Sequence, residues 1–319
     1  MPASTVKGKN VALVTGANGF VGSKLCRYLS FIGWDVIGAD RQASNFSKTL
    51  DYPLISCDIS DRSSVDSVFS EHKSITHIFH LAAITFVPDS KRSPVTTMDI
   101  NLNGTINVIE SLKSNIPNGR MIFIGSSEVY GPPVDLPVTE SHSFNPLHPY
   151  AISKLAADLY CGYEAGLGTD IVRVRPFNHS GSGQNPNFVL SDFCRQVVEI
   201  EAGLKEPVLK VGNLNAARDF SHVDDVVKAY YLIAEKGVRG AVYNVCSGSS
   251  VVIGDVLKQI IAHIDVEVLV EIDEEKFRPV DVPEIRGSNK LLTTELGWQP
   301  DKTLDNIICD LLQFWRNNI

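Results

Sequence analysis

Cysteine is scarce, six residues in 319, and Cys26, Cys57, Cys161, Cys194, Cys246 and Cys309 are scattered with no Cys-x-x-Cys pair. That spacing excludes a disulfide framework and a cysteine-ligated metal, so reduced and mostly buried thiols are expected. Long apolar runs are missing as well. No stretch approaches the eighteen or so residues of a membrane span, and residues 1–10 lack the apolar core of a signal peptide. A cytoplasmic protein with no membrane partner is the expectation. Blocks of like charge are absent although the net charge is -8, which gives no electrostatic reason to expect nucleic acid or an anionic surface. Histidine offers no metal site: His77 and His80 share a strand-like segment, and their odd spacing puts them on opposite faces.

What is present is ordinary globular material, 44% hydrophobic and 21% charged, enough to bury a sizeable core. Up to Arg175, short runs rich in Val and Ile (11–15, 36–39, 54–57, 77–81, 121–124, 171–174) alternate with amphipathic stretches (19–31, 63–71, 95–113, 149–165). This repetition predicts an α/β fold of Rossmann type, a doubly wound parallel sheet. Pro146 and Pro149 suit the entrance of the helix that carries Tyr150. After Pro176 the texture turns to Asn, Gly, Ser and Pro, followed by a helical 192–201 and a strand-like 208–211. A smaller C-terminal α/β lobe is therefore expected, and 241–245 reads as a further strand of the first sheet. The predicted organisation is a dinucleotide-binding domain at 1–177 plus about 222–247, and a substrate lobe at about 178–221 plus 248–319.

Chemistry concentrates in a few segments of the first domain. Gly16, Gly19 and Gly22, with Asn18, Phe20 and Val21 between them, join the first strand to the first helix, where missing side chains let backbone amides reach a pyrophosphate. Asp40, at the end of the second strand, stands where a carboxylate would hold adenosine ribose hydroxyls and favour NADH; the adjoining Arg41 could turn the preference to NADPH. Asp58 and Ile59 end the third strand and Leu81, Ala82 and Ala83 the fourth, positions open either to a dinucleotide or to plain sheet packing. Asn101, in Asn-x-x-Gly-Thr, and Pro176 complete the candidate cofactor contacts, with the bridging of a buried polar gap as the other role for Asn101.

Tyr150 and Lys154 are one helical turn apart, so phenol and ammonium share a face. A phenol ionises near about pH 10, and the lysine is expected to make it acidic enough to move a proton at neutral pH. Ser126, following the fifth strand, can polarise the same substrate oxygen.

With these residues in hand, Thr-Gly-Ala-Asn-Gly-Phe-Val-Gly at 15–22, Asp58, Leu81-Ala82-Ala83, Asn101, Ser126, Tyr150 and Lys154 resemble the extended short-chain dehydrogenase/reductases that modify nucleotide sugars. Three further segments, 177–184, 210–220 and 278–290, resemble the GDP-sugar members, above all the reductases of GDP-6-deoxy-4-keto-mannose that make GDP-D-rhamnose. The resemblance implies NAD(P)H as cofactor, a GDP-sugar as substrate and a homodimer formed by helices 95–113 and 149–165. It implies that Asn178, Arg218 and Arg278 hold the substrate diphosphate, that Val211 and Asn213 line the guanine pocket, and that Ser127 and Val189 add substrate contacts. Glu128 keeps two readings, because 126–131 also resembles the segment whose glutamate removes a proton from carbon 5 in GDP-mannose 4,6-dehydratases. The stretch 181–184 favours the reductases, and Glu128 is then inherited structure or a hydrogen-bonding contact to the sugar.

Overall fold

The computed structural model describes residues 9–42, 51–276 and 282–319. In chain order its strands are β1 (Val11–Thr15), β2 (Asp35–Asp40), β3 (Leu54–Ser56), β4 (His77–His80), β5 (Arg120–Ile124), β6 (Ile171–Pro176), β7 (Asn178–Ser180), β8 (Val208–Val211), β9 (Ala217–His222), β10 (Val242–Val245), β11 (Ser250–Val252), β12 (Leu269–Ile272) and β13 (Glu284–Ile285). Its α-helices are α1 (Phe20–Phe31), α2 (Arg62–Glu71), α3 (Val87–Arg92), α4 (Pro94–Met98), α5 (Gly104–Asn115), α6 (Pro149–Gly166), α7 (Val189–Glu201), α8 (Val223–Lys236), α9 (Ile253–Ile261), α10 (Lys290–Leu296) and α11 (Leu304–Arg316).

A seven-stranded sheet has the order β10-β6-β5-β4-β1-β2-β3, and β1 to β6 pair in parallel within it. This is the doubly wound sheet that the alternating pattern predicts. The strands read as nearly continuous apolar runs because both faces are covered. Ile78 of β4 joins Leu13, Met121 and Phe123 in a core with Val65 and Phe69 of α2 and Val108 and Leu112 of α5. His77 and Phe79, pointing the other way, pack on Trp34, which also meets Tyr231 of α8. The order reverses at β1, between β2 and β4, the position at which open α/β sheets bind ligands, and Gly16 follows the carboxyl end of β1 there.

One expected element is broken. The helix predicted over 95–113 is α4, a π-helical turn at Asp99–Asn103, and α5, with α3 before it. Ser93 and Pro94 end α3, and the π-turn turns Asn101 inward to bond the loop after β4. Gly104 follows because Ile59 lies against it: a Cβ there would come 2.8 Å from Ile59 Cδ1.

The residues fall into two compact units, one of 1–129, 146–175 and 230–242, the other of 130–145, 176–229 and 243–319. The second contains the short sheets β11-β9-β13, with β7 beside β9, and β12-β8. Its core sets Leu209 and Val211 of β8 against Phe193 and Val197 of α7, Val256 of α9 and Ile308 and Leu311 of α11. All six cysteines are free, and Cys309 alone is exposed. Among the described residues no helix is long and apolar enough to cross a membrane.

Asp219 organises this second unit. It is fully buried, accepts from Ser247 N and Oγ at 2.8 and 2.6 Å, and accepts from the backbone N–H groups of Gly248 and Gly287, both at 3.1 Å. The neighbouring Arg218 donates to the carbonyls of Ala217 and Val282. Truncation would leave buried donors unpaired, so Asp219→Ala is expected to lower stability by about 3 kcal/mol, read as a fall in the urea midpoint. A midpoint unchanged from the parent would show that water replaces the carboxylate at no cost.

Candidate active site

The glycine-rich turn is shaped by two close approaches. Gly16 has φ +72°, and a Cβ on it would meet Ala82 N at 2.9 Å; a Cβ on Gly22 would lie 2.1 Å from Gly16 O. Only glycine fits either position. Gly19, extended, precedes α1, no side chain caps that helix, and no acidic residue stands in its first turn. Such an N-terminus fits a diphosphate. Asp40 closes the turn from β2, its Oδ2 accepting from Asn18 N at 3.1 Å, while Arg41 is exposed. Phe20 and Val21 are half-buried, whereas Ile59 is packed into the core beneath α5, so its side chain serves sheet packing. Asp58 accepts from Ser60 N and Oγ at 2.9 and 2.6 Å.

Polar groups under the site are consumed by one another. Thr15 donates to His80 Nδ1 at 2.8 Å, His80 Nε2 donates to Thr105 Oγ1 at 3.1 Å, and Thr105 donates to Asn101 O at 2.7 Å. That order fixes a neutral His80, whose pKa burial pushes down to about 3. Asn101 Oδ1 accepts from Ile84 N, and its Nδ2 donates to Ile84 O and to Ser153 Oγ, all within 2.9 Å. Ser153 in turn donates to Tyr150 O at 2.8 Å. Both amide donors of Asn101 are thereby used, and the residue ties the loop after Leu81, Ala82 and Ala83 to the first turn of α6. Of the two roles open to it, the structure shows the bridging one.

Tyr150 and Lys154 lie on that turn, both buried, with Ser126 buried after β5. Burial pushes the Tyr150 phenol up to about 12; a hydrogen bond with Ser126 opposes the shift, and the Glu128 carboxylate adds to it. The Lys154 ammonium donates to Ile124 O at 2.7 Å and sits 5.3 Å from the centre of the Phe123 ring. Burial lowers its pKa to about 8, against the opposing effects of Cys161 and Asp158. Desolvation outweighs the acidifying effect expected of Lys154, so Tyr150 is a protonated phenol at neutral pH.

One member of the cluster was missed in the sequence. His148 caps α6: its Nδ1 accepts from Ala151 N at 3.2 Å, its Nε2 lies 3.3 Å from Glu128 Oε2, and its ring is parallel to that of Tyr150, centroids 6.0 Å apart. The signal was its place before Pro149, one residue outside a helix, where a side-chain acceptor is favoured.

In the second unit, Asn178 begins β7 and is half-buried, Val189 opens α7 exposed, and Asn213 Oδ1 accepts from Asn215 N at 2.9 Å. Val211, expected to line a base pocket, is fully buried in the core, because alternate residues of β8 point inward. Pro176 is buried at the end of β6, Ser127 is half-buried, and Arg278 lies outside the described residues. The 181–184 stretch is a self-bonded turn: Gln184 accepts from Ser180 Oγ, donates to His179 O at 2.9 Å, and its carbonyl accepts from Ser191 of α7.

A parallel doubly wound sheet, a glycine turn fitted to a dinucleotide, and Ser126, Tyr150 and Lys154 buried together define an extended short-chain dehydrogenase/reductase. The chain belongs to the GDP-mannose 4,6 dehydratase family, whose sequence profile matches residues 13–311. It is 33% identical over 312 residues to the GDP-6-deoxy-D-mannose reductase of Pseudomonas aeruginosa, covering 96% of this chain and 97% of the relative. Identity to GDP-mannose 4,6 dehydratase 1 of Arabidopsis thaliana is 31%, over 95% of this chain and 89% of the relative. Among solved structures, RMD from Pseudomonas aeruginosa complexed with NADPH superposes with a TM-score of 0.85 at 32% identity, covering 98% and 100% of the two chains. UDP-glucose 4-epimerase from Thermotoga maritima with UDP-glucose gives 0.85 at 26% identity, covering 97% and 99%.

The bridging role of Asn101 is directly testable. Asn101→Asp keeps the acceptor for Ile84 N and replaces a double donor with an oxygen facing Ile84 O, so stability should fall by about 2 kcal/mol, with a lower midpoint in thermal unfolding. Full stability in the aspartate variant would disprove it.

Proposed function

We propose that this chain reduces the 4-keto group of GDP-6-deoxy-4-keto-D-mannose with NAD(P)H, giving a GDP-6-deoxyhexose, of which GDP-D-rhamnose is the favoured product. The observation that carries the reading is the set of Ser126, Tyr150 and Lys154 buried together beside the glycine turn, in a chain 33% identical to a GDP-6-deoxy-D-mannose reductase. The cofactor, when bound, supplies the hydride for carbon 4. Ser126 orients the carbonyl, Tyr150 delivers the proton, and the Lys154 ammonium stabilises the phenolate left behind. The reductase identity of the Pseudomonas aeruginosa relative supports reduction over dehydration.

In this reading the first unit holds NAD(P)H along Gly16 to Gly22, Asp40, Asp58 and Leu81 to Ala83, and the second holds the GDP-sugar through Asn178, Asn213, Arg218 and Arg278. Asp40 supports NADH; the exposed Arg41, and a relative complexed with NADPH, support the phosphorylated form. A cytoplasmic homodimer accompanies it. Ile152, Leu159 and Tyr163, spaced along one stripe of α6, are 46, 53 and 60% exposed, and they suit a subunit contact.

Purified protein given GDP-6-deoxy-4-keto-mannose should oxidise one equivalent of NADH or NADPH, with the product's configuration read by NMR; conversion of GDP-mannose without added reductant would overturn the reading. Tyr150→Phe should lower turnover by about a thousandfold and leave cofactor binding nearly intact by titration. Lys154 is charged below about pH 8 and neutral above it. Reduction needs the charged form, so kcat/KM should be level at lower pH and fall as pH rises through about 8, an outcome that a flat profile to about pH 10 would contradict.

A further inference from the structure

The Glu128 carboxylate poses a chemical problem for a ketone reductase. The carbons flanking a carbonyl carry acidic C–H bonds, and a carboxylate beside the proton donor of that carbonyl is a base in reach of them. If it removes such a proton, the C–H electron pair forms a C=C bond and the carbonyl π pair moves to oxygen, which takes the Tyr150 proton. Return of a proton from solvent then scrambles the neighbouring centre before hydride arrives.

His148 is built to oppose this. Its Nδ1 accepts from the α6 backbone at Ala151, which leaves the imidazole proton on Nε2, directed at Glu128 Oε2 at 3.3 Å. The His148 side chain is 12% exposed and that of Glu128 31%, so the donor is buried and the carboxylate partly so. The ring lies parallel to Tyr150 with 6° between planes, which holds the pair alongside the phenol. A carboxylate that accepts a hydrogen bond from a buried donor is a weaker base than one facing water.

Building on the reductase reading, we propose that His148 is a positioning residue that holds the Glu128 carboxylate as a hydrogen-bond acceptor and so keeps it from removing protons from the carbons flanking the substrate carbonyl. The helix fixes the tautomer, and the tautomer restrains the glutamate.

The test is reduction of GDP-6-deoxy-4-keto-mannose in D2O, with deuterium in the recovered substrate and product located by NMR. Wild-type enzyme is assayed first: absence of any reduction sinks the functional reading, whereas reduction with deuterium already at a flanking carbon sinks the role of His148. The variants are His148→Asn and His148→Ser, whose side chains still cap α6 and lack the Nε2 proton. Both should keep reducing while flanking-carbon exchange rises by about tenfold, the effect of losing one hydrogen bond to a charged group. Adding Glu128→Gln to His148→Asn should abolish the exchange. A cap-only role predicts folded, active His148 variants without label, and that result would overturn the proposal; exchange persisting in the double variant would overturn it too. If one variant fails to fold, the other carries the same comparison.

Discussion

The chemistry depends on burying an ammonium and a phenol on one turn of α6. Taking Lys154 out of water costs several kcal/mol unless the surroundings compensate. They do so from the sheet: Ile124 O accepts its proton, and Phe123 offers a ring. Asp158, one turn further along the helix, adds a negative field. Asp158 is itself fixed by two arginines of β6, Arg173 Nη1 at 3.0 Å and Arg175 through Nε and Nη2 at 3.0 and 2.9 Å. The parallel pairing of β5 with β6 therefore sets the electrostatics of a residue on neither strand.

Helix entrances repeat one device with different results. His148 before α6 and His222 before α8 each accept a backbone N–H of the following helix through Nδ1, and each turns Nε2 to a carboxylate, Glu128 at 3.3 Å or Asp310 at 3.0 Å. In both, the helix decides the imidazole tautomer and hence which ring nitrogen is the donor. At His222 the acceptor is on α11, so the bond ties the end of β9 to that helix. At His148 the acceptor belongs to the cluster around the phenol.

Much of this was legible because parallel strands covered on both faces leave an unbroken apolar signature, and because a turn without side chains and a Tyr-x-x-x-Lys pair are local patterns. The rest depended on partners far away in sequence. The π-turn at 99–103 is invisible to periodicity, since its cause is a pair of bonds from Asn101 to Ile84. Val211, placed in a base pocket by the resemblance, is buried by strand alternation, and Ile59, open to a dinucleotide or to sheet packing, is packed beneath α5. The partners of Asp219 are the backbone of 247–248 and 287, far from it in sequence. The acidity of Tyr150 was misjudged for a related reason: sequence shows the charges nearby and not the desolvation that outweighs them.

That last difference bears on direction. A Ser, Tyr and Lys set can begin by taking a proton from an alcohol or by giving one to a ketone. With the phenol pushed up to about 12, the protonated form, from which reduction of a ketone starts, prevails throughout the neutral range. Glu128 contributes to this twice: its charge raises the phenol further, and its engagement by His148 withholds the base that elimination would need. One carboxylate, restrained by a helix-capping imidazole, thus favours reduction both by what it does to the neighbouring proton and by what it is kept from doing to the sugar.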